Sequence, residues 1–147
     1  MLTKATEYAI RALVYIELKN SEGKRPGFRE IAKEIDSPES FTAKILQILT
    51  RQGIIGSMKG RGGGFFFETE DRNLSIYSVI VAMEGKKFFD KCGFGLKNCN
   101  ASNPCPFHEE YKKIRDGFTN LVQSETIQSF AAKIKEGNAV LSRIPVS

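Results

Sequence analysis

The three cysteines and the single histidine of this 147-residue chain lie in one segment, residues 91–108, which we call the cysteine loop. Six residues separate Cys92 from Cys99, five separate Cys99 from Cys105, and His108 comes three positions after Cys105. Thiolates bind zinc and iron–sulfur clusters, and an imidazole can complete either ligand set. The loop is also rich in glycine, asparagine and proline, whose turns let a chain wrap around a central ion or cluster. The spacing therefore predicts a metal centre here.

Three kinds of cysteine chemistry fit this spacing. Structural zinc sites usually have closer pairs such as C-x2-C, and wider gaps suit an object larger than one ion. An iron–sulfur cluster, either 2Fe-2S or 4Fe-4S, and a zinc ion are both candidates, as are free or redox-active thiols. The odd number of cysteines argues against the disulfide framework of a secreted protein. No triad spacing or oxyanion signal accompanies Cys105 and His108, so we do not expect an enzyme.

The composition is that of a globular protein, with 41% hydrophobic and 27% charged residues. The longest apolar stretch, SVIVAM, is too short to cross a bilayer, and charges interrupt the apolar start of the chain. We therefore expect a cytoplasmic protein without a membrane partner. The net charge is +5, and residues 1–65 hold eleven Lys and Arg against seven Asp and Glu. This basic excess is compatible with contacts to DNA phosphates but does not require them.

Hydrophobic periodicity predicts three helices in the basic N-terminal part. The first covers TEYAIRALVYIELK, the second covers FREIAKEI, and the third lies within DSPESFTAKILQILTRQG, with Ser37 as its N-cap and Gly53 as its stop. One face of the third helix is apolar, and the opposite face carries Ser40, Lys44, Gln47 and Arg51. Such an arrangement predicts a helix-turn-helix whose outer face contacts base edges and phosphates. The alternative is an ordinary solvated helix face.

The next stretch, IIGSMKGRGGGFFFET, predicts a hairpin with strands at 54–57 and 65–68. Lys59 and Arg61 lie at its tip, among glycines that allow positive φ and a close approach of the backbone to a ligand. A basic hairpin after three helices is typical of a winged helix-turn-helix. There the third helix enters the major groove, and the hairpin, or wing, contacts phosphates or the minor groove. The alternative is a flexible turn.

Two further helices flank the cysteine loop. LSIYSVIVAMEG predicts a helix from Ser75 to Gly85, and PFHEEYKKIRDGFTNLV predicts a long helix that starts near Pro106. Apolar side chains recur along the long helix at spacings typical of a coiled-coil seam: Phe107, Tyr111, Ile114, Phe118, Leu121 and Val122. The helix either lies in the core or joins two copies. We favour a homodimer, since groove-reading modules commonly bind two half-sites with two-fold symmetry. A last short helix, ETIQSFAAKIKEG, is expected to pack back on the rest.

The order of these pieces resembles that of a known family. LTKATEYAIRALVYI, IAKEI, SPESFTAKILQILTRQGIIGSMKGRGGGF, LSIYSVIVAMEG and the three-cysteine loop follow one another as in the winged-helix iron–sulfur transcription regulators that include IscR and NsrR. The resemblance extends over nearly all of the chain. It implies a homodimeric transcription regulator. It also implies that a chain with the three cysteines holds an iron–sulfur cluster sensitive to oxygen, redox state or nitric oxide.

The resemblance also assigns metal ligands. Three positions match the cluster thiolates: Cys92, Cys99 and Cys105. His108 matches the fourth ligand of the IscR-like branch, whereas Glu7 matches a position from which the NsrR-like branch donates a carboxylate across the dimer. We favour His108, because it is near the cysteines in sequence and its nitrogen has affinity for iron, and keep Glu7 as the alternative.

We therefore predict a mainly α protein, a winged helix-turn-helix with a C-terminal dimerisation helix. Its parts are a DNA-binding domain with the fourth helix (1–85), a cluster-binding segment (86–108) and the dimerisation and C-terminal helices (106–147). The predicted partner is a double-stranded DNA operator, contacted by Ser40, Thr42, Lys44, Gln47, Lys59 and Arg61. The predicted function is transcriptional regulation in response to redox state, nitric oxide or iron–sulfur status. The alternatives are a zinc-stabilised interaction module and a metal-free winged-helix regulator.

Overall fold

The computed structural model describes residues 2–69 and 73–143. The described residues form mainly helices with one small antiparallel sheet, which confirms the predicted winged-helix class. In chain order the elements are α1 (Lys4–Asn20), α2 (Phe28–Glu34), α3 (Glu39–Arg51), β1 (Gly56–Met58), β2 (Gly64–Phe66), α4 (Ile76–Glu84), a 3-10 helix (Lys86–Asp90), α5 (His108–Ser124) and α6 (Ile127–Lys135). No helix in the two described ranges is long and apolar enough to cross a membrane.

Helix α1 lies at the centre of the core. The Thr3 hydroxyl caps its first turn by accepting a hydrogen bond from the Thr6 amide at 3.2 Å. Leu13 and Ile16, three residues apart on its inner face, are both fully buried. Helices α2, α3, α4 and α6 and strand β2 all contact α1. The positions of the predicted helix-turn-helix and wing and of the C-terminal helices are therefore all set against this one helix.

Helices α2 and α3 form the predicted helix-turn-helix. The N-cap of α3 is Pro38, and the assignment of that role to Ser37 was wrong, because the Ser37 hydroxyl instead bonds the Thr42 hydroxyl. The Phe41 ring meets the edge of Tyr8 at 5.6 Å, which joins α3 to α1. The Tyr15 hydroxyl donates to Glu30 at 2.6 Å, which joins α2 to α1.

The hairpin is shorter than predicted and shifted toward its tip. Its register pairs Gly56 with Phe66 and Met58 with Gly64. The apolar pair before it, Ile54 and Ile55, belongs to the core instead of to the strand, at 6% and 3% exposure. Burial of these two side chains anchors the base of the wing.

The C-terminal helices are attached through α4 and α6, which both contact α1, and α5 packs on α4. Helix α4 follows the predicted cap at Ser75 and ends at Gly85, whose φ of +84° stops the helix. Helix α5 begins at His108, two residues after the predicted start. Helix α6 packs back on α1, with Ile127 fully buried.

One carboxylate ties α4 to the start of α1. The hydroxyls of Thr3 and Thr6 both donate to the same oxygen of Glu84, the last residue of α4, and the Thr6 bond is 2.6 Å long. Thr6 is fully buried. These two hydrogen bonds hold the pKa of Glu84 below its ordinary value. Glu84 thus joins the segment that leads into the cysteine loop to the central helix.

We predict a pH-dependent contribution of Glu84 to stability. Because the folded-state pKa is depressed, this contribution is present above the unfolded pKa of about 4.3 and is lost as the pH falls through the folded value. The difference in free energy of unfolding between wild type and Glu84→Gln should therefore be constant near neutral pH and shrink in acid. Urea unfolding at several pH values measures it, with the exposed Glu109→Gln as the matched control. A difference that did not change with pH would contradict this assignment.

Candidate DNA-binding face and cysteine loop

The outer face of α3 carries the polar stripe that the sequence predicts. Ser40, Lys44, Gln47 and Arg51 are all exposed, whereas Ile45, Leu46 and Leu49 on the inner face are buried. Within the described parts of the chain, neither Lys44 nor Arg51 forms an ion pair. The stripe therefore offers hydrogen-bond donors and two positive charges, neither of which is paired with a carboxylate of the described residues.

Thr42 does not belong to this stripe. It is 1% exposed, and its hydroxyl donates to the Pro38 carbonyl at 2.8 Å. A helix turns 100° per residue, so position 42 lies about 200° from position 40 and points into the core. The structure contradicts the prediction of a base contact for Thr42, because a buried and hydrogen-bonded hydroxyl cannot reach a base edge.

The tip of the wing carries the two predicted cations. Lys59 and Arg61 are exposed between β1 and β2, and residues 2–69 and 73–143 contain no ion-pair partner for either. Gly60 and Gly62 have φ values of +91° and +79°, so each cation sits next to a left-handed turn residue. The tip thus presents two free positive charges on a narrow hairpin.

The cysteine loop brings its four candidate ligands together as two pairs. The Cys99 sulfur lies 3.5 Å from Nδ1 of His108, which is 7% exposed. The Cys105 thiol lies close enough to Cys92 to help lower the pKa of the Cys92 thiol. The backbone N–H of Phe94 is the main cause that lowers the pKa of the Cys92 thiol, with smaller help from Leu96. Backbone N–H groups directed at a sulfur are a feature of iron–sulfur sites.

One face of α5 supports the loop. His108, Tyr111, Arg115 and Phe118 lie three or four residues apart and so share this face. Gly93 lies flat against Tyr111, where an added Cβ would come within 2.5 Å of the ring. Arg115 donates to the Lys91 carbonyl at 3.1 Å and to the Cys99 thiol, a bond that raises the pKa of Arg115.

Sequence reasoning missed Arg115. The signal that could have found it is its position seven residues after His108, which places both side chains on the same helix face. That signal has meaning only once the loop is known to fold back on α5.

The donor set fits an iron–sulfur cluster in its chemistry. In the described residues, no three side chains of His, Cys, Asp or Glu converge on the position of one ion. Thiolate and imidazole donors suit an iron–sulfur cluster, and they also suit a zinc ion. The Glu7 carboxylate pairs with Lys4 at 3.5 Å and lines a groove between α1 and α5.

The predicted apolar seam of α5 divides into two faces. Tyr111 and Phe118 are half-buried and Val122 is 4% exposed, so these positions face inward. The other three, at seven-residue spacing, are exposed: Phe107, Ile114 and Leu121 at 53%, 59% and 55%. Leu121 also borders a groove of about 410 Å³ that Glu7 lines from the side of α1. The exposed seam and the groove form one apolar surface.

Comparison with known proteins places the chain in a family. The family described as "Rrf2: Iron-dependent Transcriptional regulator" matches residues 2–133. The chain belongs to the Rrf2 family. It is therefore a transcriptional regulator with a DNA-binding winged helix, and not an enzyme.

Named Rrf2 relatives are similar along most of the chain. The HTH-type transcriptional repressor NsrR of Streptomyces coelicolor is 28% identical over 105 residues, which cover 71% of this chain and 66% of that protein. The HTH-type transcriptional regulator IscR of Pectobacterium atrosepticum is 23% identical over 126 residues, 86% of this chain and 76% of that one.

Two solved structures share the fold. CymR, the global cysteine regulator of B. subtilis, superposes with a TM-score of 0.74 at 17% identity, over 90% of this chain and 96% of that one. T. potens IscR superposes with a TM-score of 0.72 at 16% identity, over 95% and 92% of the two chains. The fold is thus common to Rrf2 proteins with different names, and it does not define the signal.

We predict that the close contact between Gly93 and Tyr111 holds the cysteine loop. Gly93→Ala places a methyl group into the ring and should move the loop off α5, because the glycine φ is ordinary and only space is lacking. Hydrogen–deuterium exchange of residues 92–99 should become faster, while exchange in α1 stays unchanged. Gly117→Ala is the matched control, since a Cβ there meets nothing within 4 Å. Equal exchange rates of the cysteine loop in Gly93→Ala and Gly117→Ala would show that the contact between Gly93 and Tyr111 does not hold the loop.

Proposed function

We propose that this Rrf2 protein is a homodimeric DNA-binding regulator whose affinity for its operator depends on an iron–sulfur cluster bound by the cysteine loop. The observation that carries the proposal is that α5 supports the loop on one face and presents an apolar seam on another. Any rearrangement of the loop therefore acts on the same helix that would join two protomers. The signal is a change in redox state, nitric oxide or cluster supply.

The proposed DNA contacts come from α3 and the wing. Ser40, Lys44 and Gln47 are of types that hydrogen-bond base edges in the major groove, and all are exposed. Lys59 and Arg61 at the wing tip would bind phosphates, which supply affinity without sequence preference. Thr42 has no part in this interface.

The proposed cluster ligands are Cys92, Cys99 and Cys105, with His108 as the fourth. A bound cluster would supply a redox-active centre on these sulfurs. The N–H groups near Cys92 and the Arg115 guanidinium near Cys99 would stabilise negative charge on the thiolates. Glu7 is the alternative fourth ligand, and only from a partner protomer, because it lines the groove and not the loop.

The proposed dimer forms through the exposed seam of α5. Phe107, Ile114 and Leu121 repeat at the heptad spacing that suits a paired helix. Two-fold pairing would present two α3 helices to half-sites about 34 Å apart. Small changes in the pairing of the two α5 helices would then alter how both α3 helices fit their DNA half-sites.

Direct packing and a series of aromatic rings join α5 to α4. Phe118 of α5 stacks near Phe88 and Phe89 of the 3-10 helix, at centroid distances of 6.2 and 6.4 Å, and Phe89 stacks on Tyr77 of α4 at 4.5 Å. The carboxylate of Glu84 then connects α4 to α1. The loop is thus linked to α1 through packed rings and one hydrogen-bonded junction.

We expect operator affinity to differ between cluster-loaded and apo protein by about five- to 150-fold, the usual range for coupled sites. The measurement is DNA titration with protein reconstituted anaerobically with iron and sulfide and with protein stripped by a chelator. The Cys99→Ser variant is the control, and it should respond to neither treatment. Equal affinities of loaded and apo wild type would remove the sensing role and leave a metal-free regulator.

The same preparation distinguishes iron–sulfur from zinc. A cluster gives a brown protein that absorbs near ~400 nm and contains iron and sulfide, because thiolate-to-iron charge transfer is intense. A zinc protein is colourless because Zn²⁺ is d¹⁰.

We also predict that charges on the seam prevent dimerisation. Ile114→Glu combined with Leu121→Glu should give a folded monomer, because a dimer would bury unpaired carboxylates. Gln123→Glu is the control, since it adds one carboxylate to α5 at an exposed position two residues past Leu121. Light scattering gives the mass of each variant and circular dichroism its helix content. A dimer that survives both seam charges would show that protomers pair elsewhere.

A further inference from the structure

The wing of this protein has little support of its own. Each strand has three residues, and an isolated two-stranded ribbon is at best marginally stable in water. Something outside the hairpin must therefore fix the direction in which its tip points. The structure provides this support on the edge of β2 that faces away from β1.

That edge is bound by Asn20, the last residue of α1. Its Nδ2 donates to the Phe65 carbonyl at 3.3 Å, and its Oδ1 accepts from the Phe67 amide at 2.9 Å. The same Nδ2 donates to the Lys24 carbonyl at 2.9 Å. One side-chain amide thus links the end of the central helix, the loop that follows it and the outer edge of the wing.

The loop after α1 completes the contact. The Phe65 amide donates to the Pro26 carbonyl at 2.9 Å, so the loop pairs with β2 almost as a third strand. The Arg25 guanidinium lies over the Phe66 ring at 4.4 Å and its Nη1 lies 3.2 Å from the Met58 sulfur. A Cβ at Gly64 would come within 2.2 Å of the Arg25 carbonyl, so the two segments are in close contact.

We infer that Asn20 is a positioning residue for DNA binding: its amide holds the wing at the angle at which Lys59 and Arg61 reach phosphates. The inference rests on the proposed wing contacts, and Asn20 itself does not contact DNA. Only an amide of this length both donates to the Phe65 carbonyl and accepts from the Phe67 amide. An aspartate at position 20 keeps the acceptor oxygen but loses both donated hydrogen bonds. An alanine loses the acceptor as well as the donors.

A double-mutant cycle tests the inference. The probe is a duplex selected from a random DNA pool by the wild-type protein, titrated at several KCl concentrations. We expect the Lys59→Ala/Arg61→Ala variant to bind roughly tenfold more weakly and to reduce the salt slope by about one for each lost phosphate contact. Asn20→Ala should give a smaller loss of the same kind, about three- to tenfold, with a flatter salt slope. In the Lys59→Ala/Arg61→Ala background, Asn20→Ala should cause no further loss.

Two readouts separate positioning from a general loss of stability. In Asn20→Ala, hydrogen exchange at the Phe65 and Phe67 amides should become faster while exchange in α3 stays at the wild-type rate. Ser21→Ala is the matched control, since the Ser21 hydroxyl donates to the Leu18 carbonyl at the same helix end and not to the hairpin. Asn20→Asp should have an intermediate effect, and it replaces Asn20→Ala in the cycle if the alanine variant does not fold.

The outcomes distinguish this inference from the proposed function. If the wing cations can be removed without loss of affinity or salt slope, the wing contact itself is wrong. The other outcome is that removing the two cations lowers DNA affinity, but Asn20→Ala lowers it by the same factor in the wild-type and Lys59→Ala/Arg61→Ala backgrounds. Asn20 then does not act through the wing, and the inference is overturned.

Discussion

Burial of α1 is the constraint on which the rest of this structure depends. Its inner face, with Leu13 and Ile16 fully buried, is the surface against which α2, α3, α4, α6 and β2 are placed. The apolar area removed from water here is the main favourable contribution to folding, since hydrophobic burial stabilises in proportion to area. The polar groups at the two ends of α1 have a different role. Thr3 and Thr6 bind Glu84 at one end, and Asn20 binds the wing at the other. The same helix therefore sets the position of the cysteine-loop segment and of the wing.

Much of the fold could be predicted because it follows from local periodicity. The apolar spacing of α1 and α3, the serine cap of α4 and the glycine that ends it are properties of short stretches, and the structure agrees with them. The hairpin pattern predicts a strand that includes Ile54 and Ile55, yet the core below the wing buries them. Their burial depends on tertiary contacts, which the local sequence pattern does not encode.

The candidate site was predictable in residue type but not in geometry. Thr42 is among the predicted DNA contacts, although its angular position on α3 points inward. Arg115 and Asn20 were missed because their partners are backbone groups far away in sequence, at Lys91 and at Phe65 and Phe67. Contacts to carbonyl and amide groups leave no signature in the side chains of the partner. The role of such residues can be recognised only when the three-dimensional path of the backbone is known.

The division of α5 into two faces has a mechanical consequence. Arg115 lies against the cysteine loop and Ile114 lies on the exposed seam, so the two faces are one residue, or 100°, apart on a single rigid rod. Rotation of α5 about its axis therefore moves both faces together. With a radius of about 5 Å including side chains, a rotation of 20° moves both surfaces by roughly 2 Å. No hinge is required, because the stiffness of the hydrogen-bonded helix carries the displacement from one surface to the other.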